Sequence, residues 1–209
     1  MIITLSEENF QSLCDLLGKQ DHGLKSIINQ YGYPPFWSRK PGFETFIHII
    51  LEQQVSLASA KAALIKLQSR LGIVTPAKLL TLTDEELKAC YFSRQKISYA
   101  RHLANVIILK QLNLKKLETL PDDDIKSSLI RLPGIGNWTV DIYLMMALHR
   151  SDCFPFGDIA IINSLKHIKN LPKETSREAL IPIADTWKPY RTVAAYLLWH
   201  SYLSRKNKV

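Results

Sequence analysis

Cysteine is scarce in this sequence. Its three cysteines, Cys14, Cys90 and Cys153, lie far apart in 209 residues and form no CxxC pair, which excludes a disulfide framework and a thiolate metal cluster. Long apolar runs are missing as well. No stretch approaches the roughly 18 residues of a membrane span, so no membrane partner is expected. The opening MIITLSEENF lacks a basic segment followed by an apolar one, so no secretory signal is expected. These absences place the chain in a reducing compartment, the cytoplasm of a bacterium or the nucleus of a eukaryote. Period-two alternation, internal repeats and low-complexity tracts are also absent, which argues against β-sheet.

What is present is basic and helical. Lys and Arg number 27 against 19 Asp and Glu, a net charge of +8 with a pI near 9.4. Such a surface suits a polyanion, and equally a soluble protein that is merely basic. Apolar residues at 57, 60, 64, 67 and 71 fall on one helical face, with Ser56 as N-cap and Gly72 just past the end. Thr83 with Glu86, and Thr175 with Glu178, read as capping boxes. Pro76 and Pro41 sit where a first turn tolerates proline. The predicted fold is all-α, with helices near 6–17, 23–31, 42–53, 57–71, 76–81, 84–90, 94–111, 122–130, 137–149, 159–168, 176–187 and 190–205. Residues 31–42 break helix repeatedly and suit a crossing between lobes, and a second break lies at 151–157.

Two helices meet at Arg131-Leu-Pro-Gly-Ile-Gly-Asn137, a connection short enough to force a tight antiparallel hairpin. Pro133 fixes φ, while Gly134 and Gly136 permit backbone conformations or close approaches denied to side chains. Amides opening the next helix can face an anion such as a DNA phosphate; a ligand-free turn has the same sequence. Trp138 lies in the first turn of that helix, off a predicted buried stripe of Val140, Tyr143, Leu144, Ala147 and Leu148. Asp158 reads as the N-cap of the helix that follows. An ionised carboxylate is also what cleavage of an N-glycosidic bond requires, because positive charge grows on the sugar as the base departs. Cap and catalyst are both open readings. Tyr196 and Trp199 on the last helix, with the preceding turn Trp187-Lys188-Pro189-Tyr190-Arg191, offer either core residues or a cage that stacks an extruded, cationic base.

Taken in order, Gln53-Gln54-Val55-Ser56, Leu132-Pro-Gly-Ile-Gly-Asn-Trp-Thr139, Phe154-Pro-Phe-Gly-Asp-Ile-Ala-Ile161 and Trp187-Lys-Pro-Tyr-Arg191 with Trp199 resemble the helix-hairpin-helix (HhH-GPD) DNA glycosylase superfamily. The resemblance is to its alkylpurine branch, the 3-methyladenine DNA glycosylase II type, from Phe43 to Trp199. It implies that Asp158 is the catalytic aspartate, that Trp138 and Trp199 line the base pocket, and that Gln54 is the wedge filling the gap left by the flipped nucleotide. It implies a phosphate-binding hairpin of Pro133, Gly134, Ile135, Gly136 and Thr139. It also implies that the carbonyls of Ile130, Leu132 and Ile135 could hold a structural Na+ or K+, with no cofactor required. Bifunctional relatives carry a lysine two residues after the second hairpin glycine, where this sequence has Trp138, so lyase chemistry is not expected. No cysteine follows Cys153 to build the iron–sulfur cluster of some relatives. A pocket tyrosine of some relatives corresponds to Ile142.

The resulting expectation is a monofunctional hydrolase of base excision repair that removes alkylated purines of the 3-methyladenine or 7-methylguanine type from damaged double-stranded DNA, acting as a monomer. Its architecture would be two helical lobes with the active-site cleft between them. Residues 42–150 would form the lobe carrying the hairpin, and residues 1–41 plus 151–209 the second. The rival readings are a non-catalytic helix-hairpin-helix DNA-binding protein and a glycosylase for deaminated or oxidised bases.

Overall fold

A computed structural model describes residues 3–206. Thirteen helices and no strand lie among the described residues, with one isolated antiparallel bridge between Thr4 and Arg150. None of these helices is long and apolar enough to cross a membrane. The chain divides into two compact units, one of residues 39–143 and the other of the residues up to Ser38 together with those from Leu144 on.

The chain begins with α1 (Glu7–Gln20) and α2 (His22–Tyr31), continues through α3 (Phe43–Glu52), α4 (Leu57–Leu71), α5 (Pro76–Thr81) and α6 (Asp84–Ala89), and then forms the long α7 (Arg94–Ile108). After the short α8 (Leu114–Leu117) come α9 (Asp122–Leu129) and α10 (Asn137–Met146), then α11 (Ile159–Ile168), α12 (Arg177–Asp185) and α13 (Arg191–Lys206). In the first and last stretches, α13 packs on α1, α2 and α11, burying Phe10, Leu17, Leu24, Ile27, Leu165 and Tyr196. In the middle stretch, α7 packs against α3, α5 and α6, and α3 packs against α4. Phe46 of α3 stacks on Tyr143 of α10 at a ring separation of 3.9 Å.

Local chemistry sets most boundaries. Ser56 caps α4 through the Ser59 amide, and Gly72 ends it at φ +68°; Thr75 caps α5 with Pro76 in its first turn; Thr83 and Glu86 form a reciprocal capping box on α6. Three readings need correction. The N-cap of α12 is Ser176, which accepts from the Ala179 amide, whereas the Thr175 hydroxyl donates back to the Pro172 carbonyl. Pro41 precedes the cap of α3 rather than entering its first turn, because Gly42 at φ +150° is the cap residue. The buried face of α10 is no stripe: residues 142–148 are all buried, so the second half of the helix is enclosed on every side. The division of the chain falls within α10, between Tyr143 and Leu144, ahead of the break at Ser151 that composition suggests.

Candidate functional site

The hairpin between α9 and α10 is a series of tight turns. The Ile130 amide donates to the Lys126 carbonyl at 3.0 Å, Leu132 to Leu129 at 3.0 Å, Ile135 to Leu132 at 3.1 Å, and Val140 to Gly136 at 3.1 Å. Gly134 is required twice over. Its φ is +79°, and a Cβ there would lie 2.1 Å from the ring of Tyr99 on α7. Gly136 is different. It has no positive φ, and a Cβ on it would meet nothing within 4 Å. Nothing inside the chain explains its bare backbone, which leaves an exposed place where an outside group can approach the amides closely. Pro133 is exposed as well, Gly134 is half-buried, and Ile135 plugs the core at 3% exposure. Thr139 points inward at 1% exposure, where its hydroxyl accepts from Gln53. Of this group, Ile135 and Thr139 can offer a ligand only their backbone.

The turn from α3 to α4 belongs to the same unit. Gln54 is exposed at φ +58°, a left-handed conformation that costs a non-glycine residue about 1 kcal/mol. Val55 and Leu57 beside it are also exposed. The residues just before it are tightly held. Lys96 Nζ donates to the Leu51 carbonyl at 2.7 Å, Arg39 pairs with the buried Glu52 carboxylate at 3.0 and 2.6 Å, and Gln53 Nε2 donates to the Gly134 carbonyl at 2.8 Å and to Thr139 Oγ1 at 3.1 Å. Trp138, in the first turn of α10, is half-buried.

In the other unit, Asp158 is half-buried and caps α11. Its Oδ1 accepts from the amides of Ala160 at 2.9 Å and Ile161 at 3.1 Å, and its own amide donates to the Pro155 carbonyl at 2.8 Å. These bonds hold the carboxylate in one orientation. Trp199 lies in an aromatic cluster with Tyr196 and Trp37. Its ring is stacked on Tyr196 at 5.8 Å, and Trp37 stands edge-on to both, at 5.4 Å from Tyr196 and 6.0 Å from Trp199. The Tyr196 hydroxyl donates to the Trp37 carbonyl at 2.7 Å.

Of the two readings of the turn before α13, Trp187 follows the core one. Trp187 is 1% exposed, and its Nε1 donates to Asp21 Oδ2 at 2.8 Å. Arg191 is engaged by Asp152 and Asp185. Trp187 and Arg191 hold this turn down, while Trp199 and Trp37 are each half-buried. Sequence reading missed Trp37 because it sits in the proline-rich breaker segment, and missed Tyr99 because nothing in the spacing of α7 distinguishes it from a packing residue.

A family model described as the HhH-GPD superfamily base excision DNA repair protein matches residues 47–189. The chain belongs to this superfamily. Within it, a DNA-3-methyladenine glycosylase 1 from Schizosaccharomyces pombe is 27% identical over 180 residues, covering 84% of this chain and 79% of that protein. The fold matches the S. pombe 3-methyladenine DNA glycosylase solved in complex with abasic DNA, with a TM-score of 0.82 at 27% identity, over 90% of this chain and 95% of that one. It also matches a DNA-3-methyladenine glycosidase from Bacillus halodurans, with a TM-score of 0.76 at 25% identity, over the whole of this chain and 95% of that one. Within the hairpin of this HhH-GPD chain, Gly134 is demanded by packing on Tyr99 and Gly136 by nothing within 4 Å.

Proposed function

We propose that this HhH-GPD protein excises alkylated purines from duplex DNA by hydrolysis alone, with Asp158 as its essential carboxylate. The observation that carries the reading is the fixed Asp158 side chain, whose Oδ1 is tied to two amides at the start of α11, in a chain of a base excision repair superfamily whose relatives are named for 3-methyladenine. Phosphate contacts seat the protein. The exposed Gly136 and the amides opening α10 take a backbone phosphate. The exposed Gln54 serves as the wedge, and Trp138 and Trp199 are assigned to stacking on the extruded base.

In the chemical step, the C1′–N bond breaks and its electron pair leaves with the purine. An alkylated purine already carries positive charge and departs neutral, so little acid catalysis is needed. The Asp158 carboxylate opposes the positive charge growing on the sugar, and a water oxygen bonds to C1′ while its proton is lost. Because position 138 is tryptophan, no amine stands there to form a Schiff base, and the product is an intact abasic site. The carbonyls of Ile130, Leu132 and Ile135 suit a hard monovalent cation, which would add positive charge beside a bound phosphate. Leu132 would bring only one of its two lone pairs, since the Ile135 amide takes the other. The protein acts as a monomer wherever the genome is kept.

The test is release of free base from methylated DNA. The expected result is liberation of 3-methyladenine with no strand break until alkali is added. Strand cleavage without alkali would overturn the monofunctional reading, and full activity in Asp158→Asn would overturn the mechanism.

A further inference from the structure

The turn carrying Gln54 and the hairpin carrying Gly134 and Gly136 are joined by one side chain. Gln53 Nε2 reaches across to the Gly134 carbonyl at 2.8 Å and the Thr139 hydroxyl at 3.1 Å. A primary amide has two N–H donors, so both are spent on the hairpin. Thr139 is 1% exposed and Gln53 is half-buried, so little water competes for either bond. The residue that follows, Gln54, holds a left-handed φ of +58° in an exposed turn. Such a conformation persists only where its surroundings over-determine it. On its N-terminal side they do: Lys96 holds the Leu51 carbonyl, Arg39 holds Glu52, and Gln53 is pinned to the hairpin.

We propose that Gln53 is a positioning residue that locks the wedge turn to the phosphate-binding hairpin, so that seating a DNA phosphate on the hairpin delivers Gln54 to the base stack at a fixed offset. The proposal rests on the reading of Gln54 as wedge and of the hairpin as anchor. Its physical content is mechanical. Opening a base pair costs a few kcal/mol, and a wedge on a turn free to recoil would yield before the stack does. Anchored through Gln53, the turn recoils by breaking two part-buried hydrogen bonds.

The full-length protein tests this with two substrates. One carries 3-methyladenine in a fully paired duplex. The other carries the same lesion opposite a short run of mismatched bases, where it is already unpaired. Gln53→Leu removes both donors at similar volume, and Thr139→Val removes one acceptor with its shape retained. Single-turnover excision from the paired duplex is expected to fall roughly thirtyfold in Gln53→Leu and about fivefold in Thr139→Val, as net values of about 1 kcal/mol per hydrogen bond imply. Excision from the unpaired lesion is expected to match the wild type in Gln53→Leu, and in Thr139→Val the loss on the paired duplex is expected to exceed any loss on the unpaired one. Gln54→Ala serves as the control for the wedge itself. A duplex-specific loss in Gln54→Ala without one in Gln53→Leu and Thr139→Val overturns the coupling alone. No duplex-specific loss in any variant overturns the wedge reading and the coupling with it. Equal loss on both substrates reduces Gln53 to a packing residue and also overturns the proposal.

Discussion

The ring of Tyr99 occupies the space that a side chain on Gly134 would need. A Cβ at that glycine would stand 2.1 Å from the ring. Gly134→Ala therefore adds a clash to the strain of a φ of +79° and is expected to destabilise the fold by roughly 2–4 kcal/mol. Gly136→Ala meets nothing in the protein. It should leave the melting temperature within a degree or two of wild type, while duplex affinity falls several-fold. Thermal melts alongside a DNA titration at fixed salt check the contrast, and equal melting of the two variants would contradict it.

Asp158 caps α11 and is the proposed catalytic carboxylate, and substitution can separate the two. Asparagine caps a helix about as well as aspartate, so Asp158→Asn should lose less than about 0.5 kcal/mol of stability, whereas Asp158→Ala should lose about 1 kcal/mol. Both should lose base excision by roughly 10²–10³-fold or more, because charge stabilisation at the sugar is gone in each. Urea denaturation paired with single-turnover excision reads the two effects independently.

Trp37 meets Tyr196 and Trp199 edge-on. Trp37→Leu removes contacts worth roughly 0.5–1.5 kcal/mol each and frees the Trp199 ring to tilt. The expected outcome is a rise of roughly three- to tenfold in KM for an alkylated site, with binding to undamaged duplex unchanged. Equal weakening on both DNAs would show that the cluster is only structural.

The buried Asp21 links α2 to the last stretch of the chain. Burial pushes its carboxyl up, but hydrogen bonds from Lys169, Trp187 and the Leu24 amide, together with the Lys169 charge, outweigh it and hold the pKa below the ordinary 3.8. A depressed aspartate pKa contributes stability that is present above the unfolded value and lost as pH falls through the folded one. Lys169→Met should therefore cost roughly 1–3 kcal/mol at neutral pH. The difference from wild type should shrink as pH falls below 3.8 and through the depressed pKa of Asp21 in the wild-type fold, where the carboxyl finally protonates. Urea midpoints across that range check the sign.

The three thiols offer a simple count. Cys14, Cys90 and Cys153 are all buried, and burial pushes the Cys14 thiol up to about 12 and raises that of Cys90. None should react with a chromogenic disulfide reagent in the native protein, and three should react in denaturant. One rapidly reacting thiol in native buffer would contradict the packing.

How much of this was legible in the sequence depended on whether the deciding physics was local. Ser56, Thr83 and Asp158 act on amides two or three residues away, and each caps the helix that its sequence context implies. Thr175 and Ser176 are adjacent and chemically alike, and only their hydrogen bonds distinguish them: Ser176 accepts from the Ala179 amide while Thr175 donates to the Pro172 carbonyl. The single-turn α8 is too short for any periodic pattern to register. Trp187 is committed to the core by Asp21, which lies 166 residues away, and Gln53 is committed to the hairpin over 81 residues. No local spacing encodes either pairing. Trp37 and Tyr99 escaped notice for the same reason, since each gains its meaning only from a ring or glycine brought to it by the fold.

The burial of the three cysteines has a chemical consequence for a protein with this proposed task. Electrophiles that methylate purines also methylate thiolates, and a thiol must ionise and meet solvent to compete for them. Here neither condition is met for Cys14, at 0% exposure with its proton held to about pH 12. A dose of methylating agent that fills the genome with lesions would spend itself on exposed nucleophiles, and the Cys14 thiol would stay unmodified.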